Sequence, residues 1–305
     1  MTPQDRAYLF EEARPQLVGV AYRLLGSVSE TEDVVQDTAL RWLALDPPLP
    51  ERPIAWLTTV CTNRCLDILR SSHHKRMDYV GPWLPDSLVT DSASDAAQHV
   101  ELASSLSTAF LLMLERLTPR ERAAYLLHDI FDMEFAQIAE TLDLTPANCR
   151  QLAARARKMI RRENARFVPD LDRQRELFES FRSALDTGSI DQLAQVLSQD
   201  VDLRADSDGK VVAVRHVVDG FDAVSDFISG TLGPAWSQDR FDVEMANGHL
   251  VLAVRRGPRL TAIVAFGYAQ DGAVNHVFIQ RNPDKLRVFE HRAASAAGDG
   301  SLWIA

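Results

Sequence analysis

FAQIAETLDLTPANCRQLAARARKMIRR, from Phe135 to Arg162, decides the first half of the fold. Phe135, Ile138, Ala139 and Leu142 recur at helical spacing, and so do Cys149, Leu152, Ala153, Ala156 and Ile160. Such spacing puts each set on one helix face. Asp143, Leu144 and Thr145 leave a short turn between them, and Thr145-Pro146 supplies an N-cap and a first-position proline. Ala139 is small where the two helices cross, so the stretch predicts a helix-turn-helix. Away from its apolar stripe the second helix presents Ala147, Arg150, Gln151, Ala154, Lys158, Arg161 and Arg162. Small and polar residues lead and cations follow. A DNA-reading helix needs that order, because its first turns meet base edges and later cations hold phosphates.

Upstream, Thr118, Pro119 and Glu121 predict another capped helix start. Residues 1–76 also read as helices. Ser29 and Glu32 predict a capping box ahead of EDVVQDTALRWLAL. In that helix Val34, Val35, Thr38 and Trp42 share the inner face, and Asp33, Gln36, Asp37 and Leu40 the outer one. DPPLPERP at 46–53 breaks it. The next helix, PIAWLTTVCTNRCLDILRSS, turns Leu57, Val60, Cys61 and Ile68 inward and Thr59, Asn63, Asp67 and Arg70 outward.

Residues 77–100 lack a helical period and read as a linker, in which the apolar pair Trp83-Leu84 predicts a docking surface. After Pro169 the pattern changes. Helices are predicted at 170–186 and 189–198, then strands VDLRAD, KVVAVRHVV, RFDVEMA, HLVLAVRR, RLTAIVAFGYA and AVNHVFIQ. Asn247-Gly248 and Asp271-Gly272 mark hairpin turns, and FDAVSDFISGTL a helix among the strands. Helices followed by a mostly antiparallel sheet predict an α+β domain.

With 305 residues, 46% hydrophobic and 25% charged, the chain is expected to form two or three globular domains. No apolar run reaches the roughly 20 residues that span a bilayer, and the N-terminus lacks a signal-peptide pattern. A cytoplasmic protein without membrane contact is expected. A formal charge of −10 argues against indiscriminate nucleic-acid binding, so the basic helix is expected to act with a partner. Cys61, Cys65 and Cys149 form no CxxC pair and read as core. No metal site and no cofactor are expected.

EDVVQDTALRW, PIAWLTTVCTNRCLDILR and LTPRERAAYLLHDIFDMEFAQIAETL with the basic helix, in this order, resemble bacterial sigma factors of the extracytoplasmic-function class. The resemblance implies two all-α sigma domains: region 2 at 1–76 and the helix-turn-helix region 4 at 101–168, with the linker at 77–100. It implies core RNA polymerase and promoter DNA as partners. Asp33, Gln36 and Asp37 match polymerase-docking positions, with Leu40 beside them. Asn63, Asp67 and Arg70 match the helix that reads the minus-ten element. Ala147, Asn148, Arg150, Gln151 and Arg155 match the face that reads the minus-thirty-five element, with Lys158 a phosphate contact beyond them. Phe135 departs from the Ser or Thr of many relatives, which implies a change of packing more than of chemistry.

Residues 169–290 resemble a SnoaL-like α+β cone, a domain that one branch of these factors carries; 291–305 read as a flexible tail. That branch's markers are Trp83, Leu84 and Pro85; DSDGK, with Asp206, Gly209 and Lys210; and NPDKL, from Asn282 through Pro283, Asp284 and Lys285 to Leu286. They imply contact of the C-terminal domain with the linker and sigma domains, and control of activity in cis. Some such cones are enzymes, which makes His216, Asp219, Asp242, His249 and His276 acid/base candidates. No nucleophile elbow, phosphate loop or paired-carboxylate motif accompanies them, so no catalytic residue is assigned. A ligand sensor, a vestigial enzyme and a conventional helix-turn-helix regulator stand as alternatives.

Overall fold

The computed structural model describes residues 2–77, 79–88, 105–163 and 167–299. They divide into two compact units. One holds residues 2–77 and 113–163; the other holds 79–88, 105–112 and 167–299. Most of the two helical parts that the sequence separates thus shares one unit, while residues 105–112 and linker residues 79–88 belong with the C-terminal sheet.

In the helical unit, α1 (Pro3–Leu25), α2 (Val28–Leu43) and α3 (Pro53–Met77) pack around Leu17, Leu24, Val34, Trp42, Leu57 and Cys61, all sealed from solvent. α2 starts earlier than predicted. Ser27 takes the extended backbone of an N-cap, Ser29 lies inside the helix, and the Ser29–Glu32 capping box does not form. Thr31 Oγ1 instead donates to the Ser27 carbonyl at 2.7 Å. The buried face of α3 is Leu57, Cys61, Cys65, Leu66 and Leu69, whereas Val60 and Ile68 are only half-buried.

After α4 (Thr108–Glu115), α5 (Pro119–Tyr125) begins at the predicted box, with Thr118 and Glu121 closing on each other's backbone. It runs into a π-helical turn, Leu126–Ile130. α6 (Phe135–Leu142) and α7 (Pro146–Glu163) are the predicted pair. Asp143 turns the chain with a left-handed backbone (φ 51°), and Thr145 Oγ1 accepts from the Asn148 amide at 3.2 Å. Ile138, Leu142, Cys149, Ala153, Ala156 and Ile160 are buried.

The C-terminal unit has α8 (Leu171–Thr187) and α9 (Ile190–Ala194), then β1 (Leu197–Asp206) and β2 (Val218–Asp219). α10 (Phe221–Phe227), a π-helical turn and α11 (Gly233–Trp236) precede β3 (Arg240–Ala246), β4 (His249–Arg256), β5 (Arg259–Tyr268) and β6 (Val274–Gln280). α12 (Pro283–Asp299) follows. The strand order is β2-β1-β6-β5-β4-β3, and only the β1–β6 pair is parallel. One sheet face packs on α8, where Phe178 stacks on Phe266 at 4.2 Å between ring centres. On the other, Val251, Ala253, Leu260 and Ile263 meet Leu286 and Phe289 of α12.

Three predicted elements differ here. The helix expected to 198 stops at Ala194, and β1 begins at Leu197. KVVAVRHVV is a loop except for Val218, which joins the two-residue β2. Val212 is 89% exposed, and its carbonyl accepts from the Arg281 guanidinium rather than from a strand. Alternation alone could not make a strand without a partner edge. Residues 291–299, read as a tail, continue α12. Residues 89–104 and 300–305, which include much of the predicted linker and the end of that tail, lie outside the described residues.

Candidate functional site

Three surfaces bring the candidate residues together. On α7 the exposed face carries Ala147, Asn148, Arg150, Gln151, Arg155 and Lys158. The opposite face is locked by packing and by Arg157, whose Nε donates to Asp129 at 2.6 Å. That hydrogen bond raises the Arg157 pKa and assigns this cation to holding the helix. Phe135 does more than fill space: its ring lies 4.0 Å from that of His128, and the Arg150 guanidinium sits 5.8 Å over it. An aromatic face beneath a guanidinium limits the rotamers of the arginine.

On α2, Asp33, Gln36 and Leu40 are exposed, and Leu40 keeps 60% of its surface in solvent. Asp37 is half-buried, because Arg64 Nε of α3 donates to it at 3.2 Å. On α3, Asn63, Asp67 and Arg70 are exposed, with Arg70 and Asp67 paired at 3.2 Å. Thr59, predicted to face out with them, is half-buried, its Oγ1 2.9 Å from Thr141 Oγ1 of α6. The helix carrying Asn63, Asp67 and Arg70 thus packs against the helix that leads into α7.

The third surface is the docked linker. Asp206, at the end of β1, is fully buried. Its carboxylate accepts from Tyr79 Oη at 2.5 Å, the Leu84 amide at 2.8 Å and Lys285 Nζ at 2.9 Å. Lys285 also donates to the Leu84 carbonyl and stands 4.5 Å over the Trp83 ring. Asn282 Nδ2 donates to Tyr79 Oη at 2.9 Å, and Lys210 ties Asp208 to Asp284 at 2.8 and 2.7 Å. DSDGK, NPDKL and the WLP segment therefore form one cluster. Leu84 and Pro85 are buried as a docked segment requires, while Trp83 is only half-buried, its face given to Lys285. Gly209 is left-handed (φ 67°), and a Cβ there would lie 3.2 Å from the Val80 side chain. Pro283 opens α12, and Leu286 is core.

Sequence reasoning missed Tyr79 and Asn247. Burial, and then the bond to Asp206, push the Tyr79 phenol well above its ordinary range. Asn247 reads as a hairpin residue, yet its Oδ1 accepts from the Leu88 backbone amide at 2.8 Å and its backbone N–H donates to the Leu88 carbonyl at 2.7 Å. Tyr79 and Leu88 were further apolar residues in a polar stretch, the signal that singled out Trp83 and Leu84. Two of the acid/base candidates, Asp219 and His276, flank Asp202 in register across β2, β1 and β6, and the other three lie on separate elements. His216 and Asp219 are exposed, Asp242 pairs with Arg240 at 2.8 Å, His249 opens β4, and His276 Nδ1 meets Asp202 at 2.9 Å.

The model of Sigma-70 region 2 matches residues 9–75, and that of Sigma-70 region 4 matches residues 107–160. The chain is 37% identical over 308 residues to the ECF RNA polymerase sigma factor SigJ of Mycobacterium tuberculosis, spanning 95% of this chain and 97% of that one. It is 33% identical over 203 residues to the probable ECF RNA polymerase sigma factor SigI of the same species, spanning 66% and 70%. The crystal structure of the M. tuberculosis extracytoplasmic function sigma factor SigJ is similar with a TM-score of 0.70 at 33% identity, over 92% of this chain and 98% of that one. No described helix is long and apolar enough to cross a membrane. With both sigma regions in order and a relative matched along nearly its whole length, the chain belongs to the extracytoplasmic-function family of RNA polymerase sigma factors, which bind core RNA polymerase and recognise promoter DNA.

Proposed function

We propose that this sigma factor is controlled in cis by its SnoaL-like unit, acting through the linker. The observation that carries the reading is the Asp206–Lys285 cluster, which grips Tyr79 and Leu84. Burying Leu84 is worth about 1.5–3 kcal/mol, enough to shift an equilibrium between two linker arrangements tenfold or more. Asp33, Gln36, Asp37 and Leu40 dock on polymerase; Asn63, Asp67 and Arg70 read the minus-ten element. Ala147, Asn148, Arg150, Gln151 and Arg155 read the minus-thirty-five element, and Lys158 holds phosphate. The cone is regulatory rather than catalytic, and the protein works in the cytoplasm beside polymerase.

The Thr59–Thr141 contact supports a controlled state. The elements lie about 25 base pairs apart, roughly 85 Å at about 3.4 Å per pair. Helices α3 and α6 cannot stay hydrogen-bonded while serving both, so productive binding separates them. The test is in vitro transcription with core polymerase, comparing the full chain, a truncation near Pro169, and Lys285→Met. Control in cis predicts promoter-dependent transcripts whose yield changes at least severalfold in the altered proteins. Equal yields from all three would remove the regulatory reading and leave the sigma assignment standing.

A further inference from the structure

On the sheet face away from α8, a cavity of about 610 Å³ opens between β5, the loop after Lys210 and α12. Val211, Leu260, Pro283 and Leu286 give it apolar walls, and Arg259, Arg281 and Arg287 bring guanidinium groups, against one acid, Glu290. Glu290 is engaged, its Oε1 accepting from the Leu260 amide at 3.1 Å. Arg287 shares Asp284 with Lys210. Arg281 has one Nη on the Val212 carbonyl, but its buried Nε–H has no partner among the described residues. Burial, and then the nearby Arg256, lower the Arg281 pKa against the smaller opposing pull of Asp239, a carboxylate already bonded to Arg256. A chain of formal charge −10 has thus gathered cations where its own carboxylates do not answer them all.

A cationic hollow needs an anion, because a half-buried guanidinium with an unmet donor is costly until an acceptor reaches it. The volume falls within about 300–1,000 Å³, the range of small-molecule sites, and a concave apolar wall fits a compact body better than a duplex backbone. We infer that this cavity binds a small organic anion, with its carboxylate or phosphate at Arg281 and Arg259 and its apolar body against Leu260 and Leu286. Pro283 and Leu286 belong to NPDKL, so occupancy bears on the helix that carries Lys285.

The test is fluorescence titration of the full-length protein with 8-anilinonaphthalene-1-sulfonate, an anionic aromatic probe. Octanoate, hexyl phosphate, neutral 1-octanol, inorganic phosphate and a short DNA duplex serve as competitors. The expected result is saturable binding displaced by octanoate or hexyl phosphate, at least tenfold less well by 1-octanol and inorganic phosphate, and not by the duplex. Arg259→Gln, which changes an exposed side chain, is expected to weaken probe binding about tenfold with an unchanged melting temperature. Arg281→Lys is expected to bind better than Arg281→Gln. Undiminished binding in both glutamine variants, or equal displacement by 1-octanol, would overturn the inference. So would stronger displacement by inorganic phosphate or the duplex than by octanoate and hexyl phosphate.

Discussion

Lys285 Nζ lies 2.9 Å from Asp206 Oδ2, in a site where the carboxylate side chain is fully buried and the lysine side chain only 12% exposed. The pair joins NPDKL to DSDGK, and the linker closes over it through Tyr79 and Leu84. Removing one partner of a buried pair leaves an uncompensated charge, at about 3–5 kcal/mol. Lys285→Met is therefore expected to lower the melting temperature and speed chymotrypsin cleavage near Trp83 at least tenfold. Adding Asp206→Asn is expected to cost less than the sum of the single changes, because the two residues share one interaction. Strict additivity would refute the coupling. Truncation after Gln280 is the poorer probe, since it also strips Leu286 and Phe289 from the core.

Gly209 is expected to resist substitution for two separable reasons. A left-handed backbone costs a non-glycine residue about 1–2 kcal/mol. Its Cβ would also stand 3.2 Å from the Val80 side chain. Gly209→Ala is expected to loosen the linker, and adding Val80→Ala to recover only the crowding. Full recovery, measured by thermal melting and protease sensitivity, would show that backbone strain plays no part.

At the recognition helix, a base-contacting side chain typically discriminates by about 1–3 kcal/mol. Gln151→Ala is expected to change sequence preference among minus-thirty-five variants, and Lys158→Ala to weaken all of them evenly. Phe135→Ser removes the ring beneath Arg150 and is expected to blunt discrimination without unfolding α7. Unaltered preference in both the Gln151 and Phe135 variants, read from transcription on a promoter library, would move the reading face elsewhere.

Asp202 supplies a pH-dependent test. Burial alone would raise its pKa, but hydrogen bonds from His276 and Arg204 outweigh that and hold it below the ordinary range. A depressed carboxyl stabilises the folded chain above the unfolded pKa of about 3.9, and that stability fades as pH falls through the folded value. Asp202→Asn is expected to be less stable than the natural protein near neutrality, with the gap narrowing below about pH 4. Acid-titrated denaturant midpoints that keep a constant gap would rule this out.

The order of the three sigma motifs, the helix-turn-helix and the strands from Arg240 to Gln280 were all legible in the sequence. Each rests on local rules: apolar spacing along one helix, a cap at Thr118 or Thr145, a turn at Asn247-Gly248. Local patterns also separated the exposed face of α7 from its core. What the sequence alone could not assign is whatever depends on a partner distant in the chain. Val212 alternates like a strand residue but has no strand to pair with. Thr59 lies on the outward stripe of its helix yet meets Thr141, 82 residues away. Arg157, a cation of the same basic helix, is held by Asp129, 28 residues away. Asp206 becomes the centre of the linker cluster only when folding brings residues 122 and 127 positions away, Leu84 and Tyr79, onto one carboxylate. Periodicity sorts residues by face; only the packed chain decides what each face meets.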